Sequence, residues 1–323
     1  MSKYDNLRDK IINMKPLSQS QQKNLQNKKT NPELVNSCDE LNPDNIHPKL
    51  IRVDSKHKYW NNWKAVEEHV ASFEFRRSPG RNCYFLVINE YNGKTLGILD
   101  VAADFLSLGP RDEHIGWDVD RRRDMNKHIA NISMCVPTRF FGYNLAGGKL
   151  LTLLAASDEV ANVWEDRYGD KLAGLTVTSL YGKSVQYNNL EYYKYLGKTK
   201  GQGTVHVPDD IYKEMRGVVE DFEGEIPGGR FTKGKNSRIN IIRRACKHLG
   251  VNPEILTTHG NKRGIYWCDR NENSREWLRG EDSELIPRKG MDAESLTCLW
   301  REKHAKKRVK NLKSRGEFGI LVE

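Results

Sequence analysis

The sequence predicts a mixed α/β fold: a partly antiparallel sheet flanked by helices, with a basic, mainly helical C-terminal region. Three observations carry this. CYFLVINE (83–90) and TLGILDVAADF (95–105) are β-rich runs joined at Asn92-Gly93, a hairpin signature. ISMCVPTRFF (132–141), the turn Gly142 to Gly148 and the helical run from Gly148 to Gly169 form a strand–turn–helix unit, and LAGLTVTSLYG (172–182) supplies the next strand. Residues 231–323 then turn strongly basic.

In chain order, residues 1–48 form a polar arm rich in Gln and Asn, with Pro32, Pro43 and Pro48 punctuating its end. Leu7, Ile11, Ile12 and Met14 offer one short amphipathic helix within it. The α/β core spans 49–230. It opens on a helix over 58–75, where Trp60, Trp63, Val66 and Val70 recur at helical spacing. The hairpin follows. Arg111 to Asp118 reads as a charged loop, and RRRDMNKHIA as a short helix. NNLEYYKYLG (188–197) is expected as a short helix, TVHVP (204–208) as a strand and DIYKEMRGVVEDF as a helix. Beyond the Gly/Pro break at 227–229, SRINIIRRACKHLG is an amphipathic basic helix. RGIYWCD (263–269) is a strand and 295–315 a second basic helix.

The 323 residues suffice for roughly two domains. Hydrophobic residues are 37% and charged residues 30%, with mean hydropathy −0.74, so polar arms around a modest core are expected. No run of 18 apolar residues occurs, and the start lacks the apolar stretch of a secretory signal. A cytoplasmic protein of a bacterial cell, with no membrane partner, is the expectation. The six cysteines are scattered without a C-x-x-C pair and the nine histidines are dispersed, so no metal site is expected. A net charge of +10 and a pI near 9.2 point to a polyanionic partner, foremost DNA.

Four places carry candidate chemistry. Gly147-Gly148-Lys149 follows a strand and opens a helix; free amides there make an anion site, or simply a helix entry. The stretch 174–203 interleaves hydroxyls, lysines and glycines. Tyr181 and Tyr187 flank a Gly-Lys-Ser loop containing Lys183, with Thr199 further on. Tyrosine here suits proton transfer, nucleophilic attack or base stacking, with aromatic packing as the alternative. Asp112 is a candidate base or an ion-pair partner of Arg111, and Trp117 a base-stacking indole. Arg243, Arg244, Lys306, Lys307 and Arg308 are either a solvated face or phosphate contacts.

RDEHIGWDVDRRR, NLAGGKLL, TSLYGKSVQY and LGKTKGQG, with INIIRRA, HGNKRGIYW and REWLRG in the tail, resemble the DruA-like family of Druantia anti-phage systems and its phage relatives. The central pattern is similar, more remotely, to the Mom proteins of phages, which modify adenine in DNA on a GNAT-like acyltransferase fold. That resemblance covers about residues 60–280. It implies a GNAT-like core with Gly147, Gly148 and Lys149 at the acyl-donor pyrophosphate, acetyl-CoA as one possible donor, and Tyr187 at the family tyrosine. Two departures stand out. The GNAT glycine signature is only approximated at Asn144–Lys149, and Thr178-Ser179-Leu180 stands where Mom-like proteins carry an Asp.

Three functions follow as expectations. The first is group transfer to an exposed or flipped DNA base, using Tyr187, Tyr181 and Asp112, with Lys183 and Thr199 among the donor- or phosphate-binding residues. The second is DNA strand cleavage and rejoining through a tyrosine, which would call for a divalent metal. The third is a DNA-binding module without catalysis.

Overall fold

The computed structural model describes residues 3–13, 40–70, 80–180, 182–199, 207–226, 237–257 and 262–320. Contacts divide the chain into two units: residues 23–198 with 264–323, and residues 1–22 with 199–263. In chain order, α1 (Asp5–Ile12) belongs to the smaller unit. The larger unit follows with β1 (Pro48–Val53), α2 (Trp60–His69), β2 (Asn82–Asn89), β3 (Thr95–Ala103), α3 (Gly109–Ile115) and α4 (Val119–Met125). It continues through β4 (Ile129–Pro137), α5 (Arg139–Leu145), α6 (Gly147–Ala155), α7 (Asp158–Tyr168), β5 (Gly174–Ser179) and β6 (Tyr193–Lys198). The smaller unit resumes with α8 (Asp209–Glu223), α9 (Ser237–His248) and α10 (Glu254–Thr257). The larger closes with β7 (Gly264–Asp269), α11 (Ser274–Arg279), α12 (Ala293–Trp300), a π-helical turn at Arg301–Ala305, and α13 (Lys306–Ser314).

The sheet has seven strands in the order β1-β2-β3-β4-β5-β7-β6. Every pair is antiparallel except β4 and β5. This is the mixed, partly antiparallel α/β architecture expected. The hairpin forms as its sequence dictates: Gly93 takes φ +70 and donates its amide to Asn89 O at 2.7 Å. β7 comes from the segment that composition grouped with the basic tail. It pairs on both edges, with β5 and β6, and Ile265 to Cys268 are all buried, as suits an interior strand covered on both faces.

β4 decides which face each neighbour covers. Asp100 pairs with Met134 and Val101 with Ile132, so Ser133 is the extra residue of a bulge. The slip flips the alternation: Ala130, Ile132 and Cys135 all join the core under α5, α6, α7 and α12. Ile129 faces the other side, where Trp117, Trp267 and Leu278 pack, and Met134 joins Trp63, Val66 and Leu86 under α2. β4 and β5 pair only from Ile129/Gly174 to Ile132/Val177; β4 then runs on to Pro137.

Several expectations are corrected. Arg111 to Ile115 is helical, not a loop: Pro110 sits in the first turn and Gly116, at φ +78, ends α3. The stretch after the strand is not one turn from Gly142 to Gly148; α5 forms first, and left-handed Ala146 separates it from α6. Residues 193–198 are a strand, not a helix. Asn189 (φ +52) and Tyr192 (φ +69) interrupt any helical run, and Tyr193 and Tyr195 register against Cys268 and Tyr266. The strand expected at 204–208 lies mostly outside the described residues; Val207 and Pro208 lead into α8.

The smaller unit is helical. Leu7 and Ile11 of α1 are buried with Ile211, Met215 and Val218 of α8 and Ile241, Ile242 and Cys246 of α9. The short amphipathic helix near the N-terminus therefore forms because this partner face exists. Ile12 stays half exposed, and Met14 lies outside the described residues.

Candidate functional site

α6 begins on two glycines because larger residues do not fit. A Cβ at Gly147 would lie 2.3 Å from the Phe141 ring, and one at Gly148 would lie 2.9 Å from the Gln186 carboxamide. Packing thus accounts for both. Lys149 extends its ammonium to Asn188 O at 2.5 Å. Burial pushes that ammonium below the ordinary lysine value, and Glu191 opposes the shift.

The segment 184–191 lies over this helix start. Gln186 Nε2 donates to Cys135 O at 3.3 Å, to Cys135 Sγ at 3.1 Å and to Thr152 Oγ1 at 3.3 Å. It meets β4 at Cys135, beyond the last β4–β5 pair at Ile132. Tyr187 packs its ring 5.3 Å from Tyr266, which stands 5.2 Å from Tyr195. Tyr266 Oη donates to Asn188 Oδ1 at 2.8 Å and accepts from Ser184 N at 3.0 Å, tying the segment to β7. Burial raises the Tyr187 phenol well above the ordinary tyrosine value, and nearby Cys135 and Tyr266 add to the shift. At neutral pH this hydroxyl is a hydrogen-bond donor, not a phenolate. Lys183 is exposed, its ammonium 5.1 Å from the Tyr195 ring centre.

Beside the same helix start stands a cluster that the sequence reading missed. Glu191 accepts from Lys303 Nζ at 2.8 Å and from His304 Nε2 at 3.1 Å. His304 lies in the π-helical turn, and the preceding Trp300 donates its indole N–H to Ala146 O at 3.2 Å. Amid so many basic residues, one histidine carried no distinguishing signal. Only the fold places it near Lys149.

Asp112 and Trp117 lie elsewhere. Asp112 Oδ1 accepts from Arg111 Nη2 at 2.5 Å, Arg111 Nε at 2.9 Å and Trp117 Nε1 at 3.2 Å. Its Oδ2 accepts from Leu108 N at 2.8 Å and Arg122 Nη1 at 3.2 Å. Arg111 is fully buried and also donates to Asp104 and to Phe105 O. The ion pair is what the structure shows; with both oxygens engaged, Asp112 is not poised as a base. Trp117 is buried beneath the Arg111 guanidinium, so no face is open for a nucleobase. Asp112 and Trp117 do not converge with Tyr187 and Lys149.

The basic residues also divide. Arg308 is partly buried, donates to Tyr143 O at 2.9 Å and lies 4.7 Å from that ring's centre, so it anchors α13. Lys306 pairs with Glu302 at 2.6 Å. Lys307 and Lys310 are exposed without an ion pair among the described residues. In the smaller unit, Arg244 is bound to Glu223, which Arg244 and His248 pull down to about 2, while Arg243 is exposed. Thr199, in that unit, exchanges hydrogen bonds with Arg263 at 2.8 and 3.0 Å. Tyr181 lies outside the described residues.

Neither expected auxiliary group gains support. At Gly147–Lys149, where the resemblance would put the pyrophosphate of coenzyme A, the Gln186 carboxamide lies against Gly148 and the Lys149 ammonium is taken by Asn188 O, so these residues do not fit that donor as placed. Among the described residues, no group of three or more His, Cys, Asp or Glu stands ready for a metal ion, and no helix is long and apolar enough to cross a membrane.

Comparison with known proteins adds the family. The chain matches the DruA family, described as Druantia protein DruA, over residues 2–280. That span includes Lys149, Tyr187 and Glu191 and ends before α12. The Druantia protein DruA of Escherichia coli (strain UMEA 4076-1) is 30% identical over 268 residues, covering 75% of this chain and 64% of that protein. The chain thus spans somewhat under two thirds of that relative's length. No solved structure matches. With nearly the whole chain matched and both ends of the 184–191 segment inside the match, the chain belongs to the DruA family.

Proposed function

We propose that this chain is a DNA-acting component of a Druantia-type anti-phage system, and that it modifies a base by group transfer at the Tyr187–Lys149 site. The observation that carries the reading is the seating of the segment around Tyr187 on the start of α6: Gln186 bonds to Cys135 beyond the last β4–β5 pair, Lys149 bonds to Asn188 O, and Tyr187 packs on Tyr266. A bulged β4, a single parallel strand pair and a helix starting at Gly147 support the likeness to a GNAT-like core. The intervening α5 and the Gln186 plug argue for a donor smaller than coenzyme A.

Tyr187 is the hydrogen-bond donor to the acceptor base. Its raised phenol speaks against a nucleophile, and so against the strand-cleaving alternative. Lys307 and Lys310 on α13, and Arg243 on α9, are the proposed phosphate contacts. The test is to express the chain in bacteria, digest total DNA and weigh the nucleosides. A mass-shifted nucleoside present with the wild type and lost with Tyr187→Phe is expected. Unmodified DNA, with salt-sensitive binding retained, would leave the binding module instead.

A further inference from the structure

The site as described lacks a proton acceptor. Thr178-Ser179-Leu180 offers no acid, Asp112 is spent on two arginines on the opposite face, and Tyr187 stays protonated. A base's exocyclic nitrogen cannot complete a group transfer while it keeps its proton.

We infer that His304, oriented by Glu191, is the proton acceptor of this site. The inference rests on the group-transfer reading and deepens it. Three independent features of geometry support it. His304 Nε2 faces a Glu191 oxygen at 3.1 Å, and its side chain is 13% exposed. A carboxylate at Nε2 fixes the proton there and leaves the Nδ1 lone pair as the acceptor, the base–orienter arrangement that acid–base sites use. His304 sits in a π-helical turn of five residues between α12 and α13, an irregularity that is frequent where a side chain must be aimed. The turn abuts the start of α6, since Trp300, one turn earlier, bonds to Ala146 O.

The charged groups that face the imidazole are Glu191 before β6, Lys303 on the same turn and Lys149 on α6. The carboxylate favours the imidazolium, and the two lysines oppose it. Burial, with the two lysines acting the same way, outweighs Glu191 and holds the imidazole below its ordinary value of 6.5, so the ring is neutral at pH 7. A neutral ring is the form that accepts a proton.

The step balances as follows. The exocyclic nitrogen attacks the electrophilic carbon of a small activated acyl donor, an ester or thioester. The N–C bond forms, and the bond to the leaving group breaks with its electron pair departing on that group. The proton leaves nitrogen for His304 Nδ1, and Glu191 balances the resulting imidazolium. Lys149 would stand by the leaving group's developing negative charge.

The experiment uses the full chain and lets the cell supply the donor. DNA from cells expressing the wild type, His304→Asn, His304→Gln, Glu191→Gln and Glu191→Asp is digested and weighed for modified nucleosides. Nitrogen-15 NMR of histidine reads the tautomer and titration of His304 in the same purified proteins, and thermal melts confirm folding. We expect both His304 variants to lose modification by about 100-fold or more with DNA binding intact. Glu191→Asp should retain more activity than Glu191→Gln, and Glu191→Gln should move the imidazole titration to lower pH. Modification by the wild type that persists within about three-fold in both folded His304 variants would overturn the inference while leaving the proposed function standing. A wild type that leaves DNA unmodified would remove both.

Discussion

Tyr266 and Trp267 are consecutive on β7 and face opposite sides of the sheet. Tyr266 lies 5.3 Å from Tyr187 and bonds to Asn188, whereas Trp267 packs with Ile115, Trp117 and Leu278. One strand therefore backs the proposed site with one residue and walls off the Asp112–Trp117 network with the next.

The glycines at the head of α6 are held by packing. Gly147→Ala places its methyl 2.3 Å from the Phe141 ring, which is itself fully buried. The expected cost is about 1–3 kcal/mol, seen as a lower urea midpoint with an unchanged slope. A midpoint equal to the wild type's would refute the close approach.

On the other face, Arg111 and Asp104 are both fully buried and 2.7 Å apart, with Asp112 on the second side. Arg111→Ala takes the ion-pair partner from buried Asp104 and one of the two arginines from Asp112, and should cost about 3–5 kcal/mol. Asp112→Asn keeps one of the two acceptor oxygens and leaves the Arg111–Asp104 pair in place, so it should cost less. If Asp112→Asn leaves base modification unchanged in folded protein, its structural role is confirmed; a selective loss of modification would return it to the site.

Alkaline pH should weaken the fold from about pH 9 upward. Burial pushes the Cys135 thiol up to about 12 and raises Cys268, Tyr187 and Tyr193 above their ordinary values. The neutral forms are favoured in the folded chain, so this stability is fully present below the unfolded values, 9.0 for thiols and 10.0 for phenols. It is lost as pH rises through the folded values, by up to about 1.4 kcal/mol per group per pH unit. Denaturation midpoints at about pH 8 and about pH 10.5 provide the comparison. Equal midpoints would contradict the burial of these groups.

Among the basic residues of α13, exposed and anchoring side chains should behave differently. Lys307→Ala with Lys310→Ala should lower the salt slope of DNA binding by about 2 without changing the melting temperature. Arg308→Ala removes the bond to Tyr143 O and should lower the melting temperature instead. A double lysine variant with wild-type binding at every salt concentration would remove α13 from the DNA surface.

Local order was legible wherever a short-range signal had one physical meaning. Asn92-Gly93 dictates a hairpin turn, and Trp63, Val66 and Val70 describe one helical face. The strand–glycine–helix unit and the Tyr187 loop are candidate segments from sequence, and the structure interposes α5 between the strand and the glycines. The helix expected over 188–197 was misread because its aromatic residues suit either state, and pairing with β7, some 70 residues away in sequence, decides between them.

The sequence by itself determined the β2–β3 hairpin, the strands β4, β5 and β7, the amphipathic helices, the positive charge and the membership of a family. Tertiary structure alone decided which charges are free and which are committed, and which residues meet. A bulge at Ser133 turns Cys135 toward Gln186, and β7 inserts between β5 and β6 to set Tyr266 against Tyr187. A π turn brings His304 to Glu191, while Asp112, conspicuous in sequence, is drawn into a buried ion pair. Helix and strand periodicity constrain which residues share a face, but only long-range pairing sets which faces come together.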